Sequence, residues 1–161
     1  MFEYLYYQSP RGPLLLAASE RGLAGVYFAE HRHFKGMAGW QRNDKHAVLQ
    51  QTAEQLGTYF DGQRKEFDLP LDLSHGTVFQ QAVWQALRRL AYGSTASYAD
   101  IARQIGKPGA VRAVGAANGR NPISIIVPCH RVIASSGALT GYAGGLPNKV
   151  ALLGLEKSKI T

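Results

Sequence analysis

Three short runs in which Tyr, Leu, Val and Phe dominate open the chain: Glu3 to Gln8, Pro13 to Ser19 and Leu23 to Phe28. The breakers Ser9-Pro10-Arg11-Gly12 and Glu20-Arg21-Gly22 separate them. This pattern predicts antiparallel strands joined by tight turns. Residues 31 to 45 carry two histidines and several charges without an apolar period, and read as a loop. From Ala47 to Phe60 the period changes: Val48, Leu49, Ala53, Leu56, Tyr59 and Phe60 fall near helical spacing and Gly62 closes the segment. An amphipathic helix is expected there. Asp68 to Gly76, with Pro70 and Gly76, reads as a connection between two units.

Helical signals take over beyond it. Thr77-Val78-Phe79-Gln80 matches a capping box, and Phe79, Val83, Leu87 and Leu90 mark one face of a helix that Gly93 ends. Ser97-Tyr98-Ala99-Asp100 has the spacing of a second capped start, Ile101 and Ile105 supply its apolar stripe, and Gly106-Lys107-Pro108-Gly109 breaks it. A further helix over Ala110 to Asn118 is stopped by Gly119. Two short helices joined by a glycine-containing turn predict a helix-turn-helix. The second of them is almost all Ala, Val and Gly, with only Arg112 and Asn118 polar. Such a helix can approach a duplex closely without reading base edges, or pack tightly inside the protein. The expected class is α/β in the α+β sense: a strand-rich unit at residues 1–75 and a helical unit at 76–161.

Charge sharpens this division. Residues 1 to 80 hold eight Lys/Arg against nine Asp/Glu, a net −1, whereas residues 81 to 161 hold ten against two, a net +8. The two acids of the second half are Asp100 and Glu156. A half so poor in carboxylates favours a polyanionic partner, through phosphate neutralisation and counterion release. No apolar run approaches the ~20 residues of a membrane span, the first residues carry no basic leader, and a single cysteine closes no internal disulfide. A soluble protein of the reducing cytoplasm, without a membrane partner, is expected.

That cysteine, Cys129, stands in Ile126-Val127-Pro128-Cys129-His130-Arg131-Val132. A histidine and an arginine beside a thiol can lower its pKa and hold the thiolate, the reactive form. A lone cysteine is also often a small buried hydrophobe, and the window alone leaves both readings open.

Wider motifs settle the direction. Arg112-Ala113-Val114-Gly115, Asn121-Pro122, Val127-Pro128-Cys129-His130-Arg131-Val132, Gly141-Tyr142-Ala143-Gly144-Gly145-Leu146 and Glu156 resemble the O6-alkylguanine-DNA alkyltransferases. The resemblance is strong from Thr77 to Lys157 and loose over the first 75 residues, where the family has a small ribonuclease-H-like domain. It implies a suicide repair protein, acting as a monomer on double-stranded DNA, that moves the alkyl group from O6 of a damaged guanine irreversibly to Cys129. In the family the cysteine is activated through a water by a histidine, here His130, which a glutamate, here Glu156, orients. Tyr98 matches the tyrosine that serves the leaving base, and Arg112 the arginine finger that fills the gap left by the extruded nucleotide. Ala110, Ala113, Gly115 and Asn118 would accompany it at the DNA. Asn121 matches the hinge asparagine, while Pro128, Val132, Tyr142, Ala143, Gly144 and Lys149 would line or support the base pocket. Some relatives carry serine in place of Ala143.

The zinc site of some relatives uses cysteines, and this chain has none outside position 129. His31, His33, His46 and His75 show no ligand spacing, so neither metal nor cofactor is expected. A catalytically silent helix-turn-helix protein that recognises alkylated bases is the alternative reading; such relatives replace the cysteine. Adjacent residues of an extended segment point to opposite faces, so His130 should reach Cys129 only through a bridge. The thiol is expected to have a pKa depressed below about 8.5 and dependent on His130 and Glu156.

Overall fold

The computed structural model describes residues 2–158. Strands β1 (Glu3–Ser9), β2 (Gly12–Ser19) and β3 (Gly22–Tyr27) form antiparallel pairs, with Leu5 opposite Leu16 and Leu16 opposite Val26. The order in the sheet is β3-β2-β1-β4. Strand β4 (Gln41–Arg42) is two residues long, lies parallel to β1, and sits inside the segment that the pattern reads as loop. Two exposed polar residues leave no apolar alternation to betray a strand. Five successive residues of β2, Leu14 to Ala18, are buried, as befits a central strand covered on both faces.

Helix α1 (Ala47–Phe60) packs on this sheet through Leu49, Leu56 and Tyr59. The expected connection is no free linker. Leu23 N–H donates to the Pro70 carbonyl (2.8 Å) and Asp72 N–H to the Leu23 carbonyl (2.8 Å), so the chain runs along the outer edge of β3. Farther along that edge, Val26 N–H donates to the Pro122 carbonyl (2.9 Å). The exposed edge of the sheet is thereby used to hold the segment that leads to Cys129.

Helix α2 (Val78–Leu87) begins on a complete capping box between Thr77 and Gln80. It ends at Leu87, short of the expected stop at Gly93. Leu90 lies in the turn beyond and still packs against the core. The Trp84 indole donates to the Ala117 carbonyl at 2.8 Å and joins α2 to helix α4 (Val111–Gly119). Strand β5 (Ala96–Ser97) leads into helix α3 (Tyr98–Gln104), started by the reciprocal Ser97–Asp100 box. Gly106, at φ +75°, ends α3. Its N–H bonds the Arg103 carbonyl and the Lys107 N–H bonds that of Ala102, the two bonds of a Schellman turn. The helix-turn-helix is therefore present where the sequence places it, although α4 includes Gly119.

Strand β6 (Val132–Ile133) pairs in parallel with β5, and helix α5 (Leu146–Ser158) closes the described chain. Buried side chains from both halves, from Leu5 to Leu152, form one continuous core.

Candidate functional site

Cys129 starts a single turn of 3-10 helix, Cys129–Arg131, between the β3 edge and β6. The extended conformation expected of this segment is replaced by that turn. Asn121 fixes the approach to it. Its buried side chain accepts from the Ile123 N–H (3.0 Å) and donates to the Val127 carbonyl (2.8 Å), tying the two ends of the hinge together. Between them Ile125 is held at φ +73°, a left-handed conformation that is costly for a β-branched residue.

Parallel pairing of Ala96 with Val132 and Ser97 with Ile133 brings Tyr98 beside the strand that follows Cys129. The Tyr98 hydroxyl lies 2.9 Å from the Thr140 hydroxyl. A Cβ placed on Gly115 would stand 3.9 Å from the Tyr98 ring, so α4 passes directly over it. Pro128, Val132, Tyr142, Ala143 and Gly144 are all buried around this turn. The Lys149 ammonium, also buried, donates to the carbonyls of Val132 (2.8 Å) and Thr140 (3.3 Å) and pins the segment between them.

Behind the cysteine lies a dense charged network. His130 Nε2 is 2.7 Å from Glu156 Oε2, and both side chains are buried. Arg131 Nε donates to Glu156 Oε1 (2.8 Å), its Nη2 to Oε2 (3.1 Å) and its Nη1 to the Leu90 carbonyl (2.8 Å). Although burial opposes ionisation of Glu156, the hydrogen bonds from His130 and Arg131 hold its carboxyl down to about 2. Burial lowers the His130 pKa in turn, against the pull of Glu156. A neutral imidazole facing an ionised carboxylate donates from Nε2, which leaves Nδ1 with its lone pair free to accept. Nδ1 is buried and has no partner among the described residues.

The thiol departs from expectation. Burial pushes the Cys129 pKa up, with the Asn121 side chain and the Lys149 charge acting against it. The neutral His130 contributes no cation. Burial thus favours the protonated thiol, where the flanking residues suggest a thiolate.

A group whose folded pKa is depressed contributes stability above its unfolded value and loses it as pH falls through the folded one. For Glu156 that window runs from 4.5 down to about 2. Its depth is about 3 kcal/mol. Thermal unfolding followed from pH 5 to pH 2 is expected to show this fall, and Glu156→Gln to lose that part of the pH dependence.

On α4, Arg112 and Ala113 are exposed, Ala110 and Gly115 half-buried, and Arg112 makes no ion pair among the described residues. Asn118 corrects the sequence reading. It lies four residues beyond Val114 on the inward stripe and is buried, not presented beside Arg112. In a helix of Ala, Val and Gly the residue types do not mark which face turns inward.

Several supports come from the first half and escaped sequence reasoning. The Tyr59 hydroxyl donates to Glu156 Oε2 at 2.6 Å. Arg32 N–H donates to the Ala143 carbonyl (2.8 Å), and the Phe28 ring presses on Gly144 so closely that a Cβ there would come within 2.3 Å of it. Only the hydroxyl of Tyr59, on a largely apolar helix stripe, hints at such a role in the sequence. Among the described residues no group of three or more His, Cys, Asp or Glu gathers as a metal site, and no helix is long and apolar enough to cross a membrane.

A small sheet-and-helix domain followed by a helix-turn-helix, with a buried cysteine beside a histidine–glutamate pair, places the chain among helix-turn-helix proteins that carry a buried cysteine. The chain belongs to the 6-O-methylguanine DNA methyltransferase family. The family's DNA-binding domain matches residues 78–158 and its ribonuclease-like domain residues 3–73. A methylated-DNA–protein-cysteine methyltransferase of Mycolicibacterium paratuberculosis is 50% identical over 157 residues, 98% of this chain and 93% of the relative. One from Methanosarcina acetivorans is 48% identical, over 96% of this chain and 98% of its own length. The crystal structure of Mycobacterium tuberculosis OGT in complex with DNA superposes with a TM-score of 0.90 at 50% identity, covering 98% of this chain and 94% of that one.

Proposed function

We propose that this protein repairs alkylated duplex DNA by transferring the alkyl group from O6 of guanine to Cys129, once per molecule. The observation that carries the reading is the buried His130–Glu156 pair directly after Cys129 in the sequence, in a chain 50% identical to methylated-DNA–protein-cysteine methyltransferases. As the S–C bond forms, the C–O6 bond breaks and its electron pair stays on the purine. The proton leaving the thiol passes to His130 Nδ1, directly or through a bridging water, and Glu156 stabilises the imidazolium. Tyr98 supplies a proton to the departing base, with its hydroxyl already oriented by Thr140. A thioether is a very poor leaving group, so the protein is consumed. Incubation with a duplex containing O6-methylguanine should add one methyl mass per molecule, on the peptide that contains Cys129. Repeated turnover, or label on another residue, would overturn the reading.

Extruding the base costs a few kcal/mol, and something must occupy the gap while chemistry proceeds. Arg112, exposed and without an ion pair among the described residues on a helix of small residues, suits that task. Arg112→Ala is expected to slow repair of duplex substrate by about a hundredfold and to leave reaction with free O6-methylguanine almost unchanged. Equal losses on both, in single-turnover assays, would place Arg112 in the active site or the fold instead.

A further inference from the structure

We propose that Tyr59, on α1 of the first half, is a positioning residue of the proton relay: its hydroxyl shares one Glu156 oxygen with His130 and so sets how strongly His130 attracts a proton. The inference rests on the reading of His130 as the base that receives the Cys129 proton.

Glu156 Oε2 accepts three hydrogen bonds, from Tyr59 Oη (2.6 Å), His130 Nε2 (2.7 Å) and Arg131 Nη2 (3.1 Å). Tyr59 stands 97 residues before Glu156 in the chain and is fully buried. Its ring is boxed in by Phe60, Phe67 and Tyr92, with centroids 5.4, 5.5 and 6.2 Å away, so the hydroxyl stays aimed at the carboxylate. Packing alone asks for phenylalanine at such a position, because a buried hydroxyl is costly unless bonded. Burial and the neighbouring Glu156 push the Tyr59 pKa far up, so it remains a donor at every pH at which the protein is folded.

Each donor that Oε2 accepts disperses its charge and weakens its hold on the others. Removing the Tyr59 hydroxyl leaves more of the negative charge for the His130 Nε2–H, which favours the imidazolium and raises the proton affinity of Nδ1. The other groups facing the pair are fixed in kind. Arg131 spans both carboxylate oxygens, and the Gly93 N–H, in the turn after α2, reaches Oε1 at 3.5 Å. Tyr92 lies behind with Lys65 over its ring, and Lys149 on α5 and the buried Tyr142 also act on the cluster. Of these, Tyr59 is the neutral donor on the very oxygen that His130 uses.

The test follows the imidazole of His130 by nitrogen-15 NMR titration of the full chain without DNA, alongside the pH profile of methyl transfer from duplex substrate. Tyr59→Phe is expected to raise the His130 midpoint by about half to one pH unit and to move the acid limb of the transfer profile upward with it. A fluorinated tyrosine at position 59 alone, a stronger donor, is expected to shift both downward. Unchanged midpoints in both variants, whatever happens to thermal stability, would reduce Tyr59 to packing. A shifted midpoint with an unshifted transfer profile would remove it from the relay. If the wild-type chain transfers no methyl group, the proposed function falls, and the imidazole titration still decides whether Tyr59 tunes His130.

Discussion

Cys129→Ala is expected to end alkyl uptake completely while leaving the fold and the grip on alkylated duplex in place. The chain has one cysteine, so no second thiol can substitute. The loss of a single sulfur from a site 3% exposed leaves a small void, worth about 1 kcal/mol. Labelled methyl transfer should therefore fall to background, with only a few degrees lost in thermal unfolding and unchanged retention of O6-methylguanine duplex in a mobility-shift assay. Cys129→Ser should not restore transfer, because a buried hydroxyl gives up its proton far less readily than a thiol. Residual transfer to the alanine variant would show that another side chain accepts the group.

Glu156→Gln combines a structural and a chemical loss. With the carboxylate neutralised, the Arg131 guanidinium remains buried without a counter-charge, a change that costs about 3–5 kcal/mol in comparable sites. In a chain of this length that lowers Tm by about 10 °C. The neutral amide also stabilises an imidazolium far less than the carboxylate does, so His130 is left a weaker acceptor for the cysteine proton. Single-turnover transfer, measured well below the lowered Tm, is expected to fall by about 10²- to 10⁴-fold, the range of general acid–base contributions. A folded variant that transfers at the wild-type rate would exclude Glu156 from the chemistry.

What the sequence makes legible is local in origin. The three long strands, α1 and both capping boxes follow from spacing within a few residues, and so does the glycine turn of the helix-turn-helix. The Cys129-His130 pair is likewise read from adjacent positions. Strands of two residues, β4 to β6, are too short to carry a pattern. Helix α5 hides because Gly144, Gly145 and Pro147 look like loop and Gly154 interrupts its middle; Pro147 in its first turn was the usable signal. The raised thiol pKa and the inward turn of Asn118 both arise from burial, which depends on what distant elements cover. Tyr59, Phe28 and Arg32 reach the site from across the fold, where no spacing rule connects them to Cys129.

The bond from the Trp84 indole to the Ala117 carbonyl gives the protein a built-in optical reporter. One other tryptophan exists, Trp40, which sits among Phe2, Phe34 and Tyr27 next to β4. In a Trp40→Phe background the ultraviolet emission would come from one indole, whose N–H points into the last turn of the helix that bears Arg112. Indole emission responds to the electric field along its ring, and a polyanion arriving at the opposite end of that helix changes this field. For the proposed reaction, stopped-flow fluorescence of that indole would follow docking and any later step on the DNA in time, with no dye attached to either the protein or the DNA.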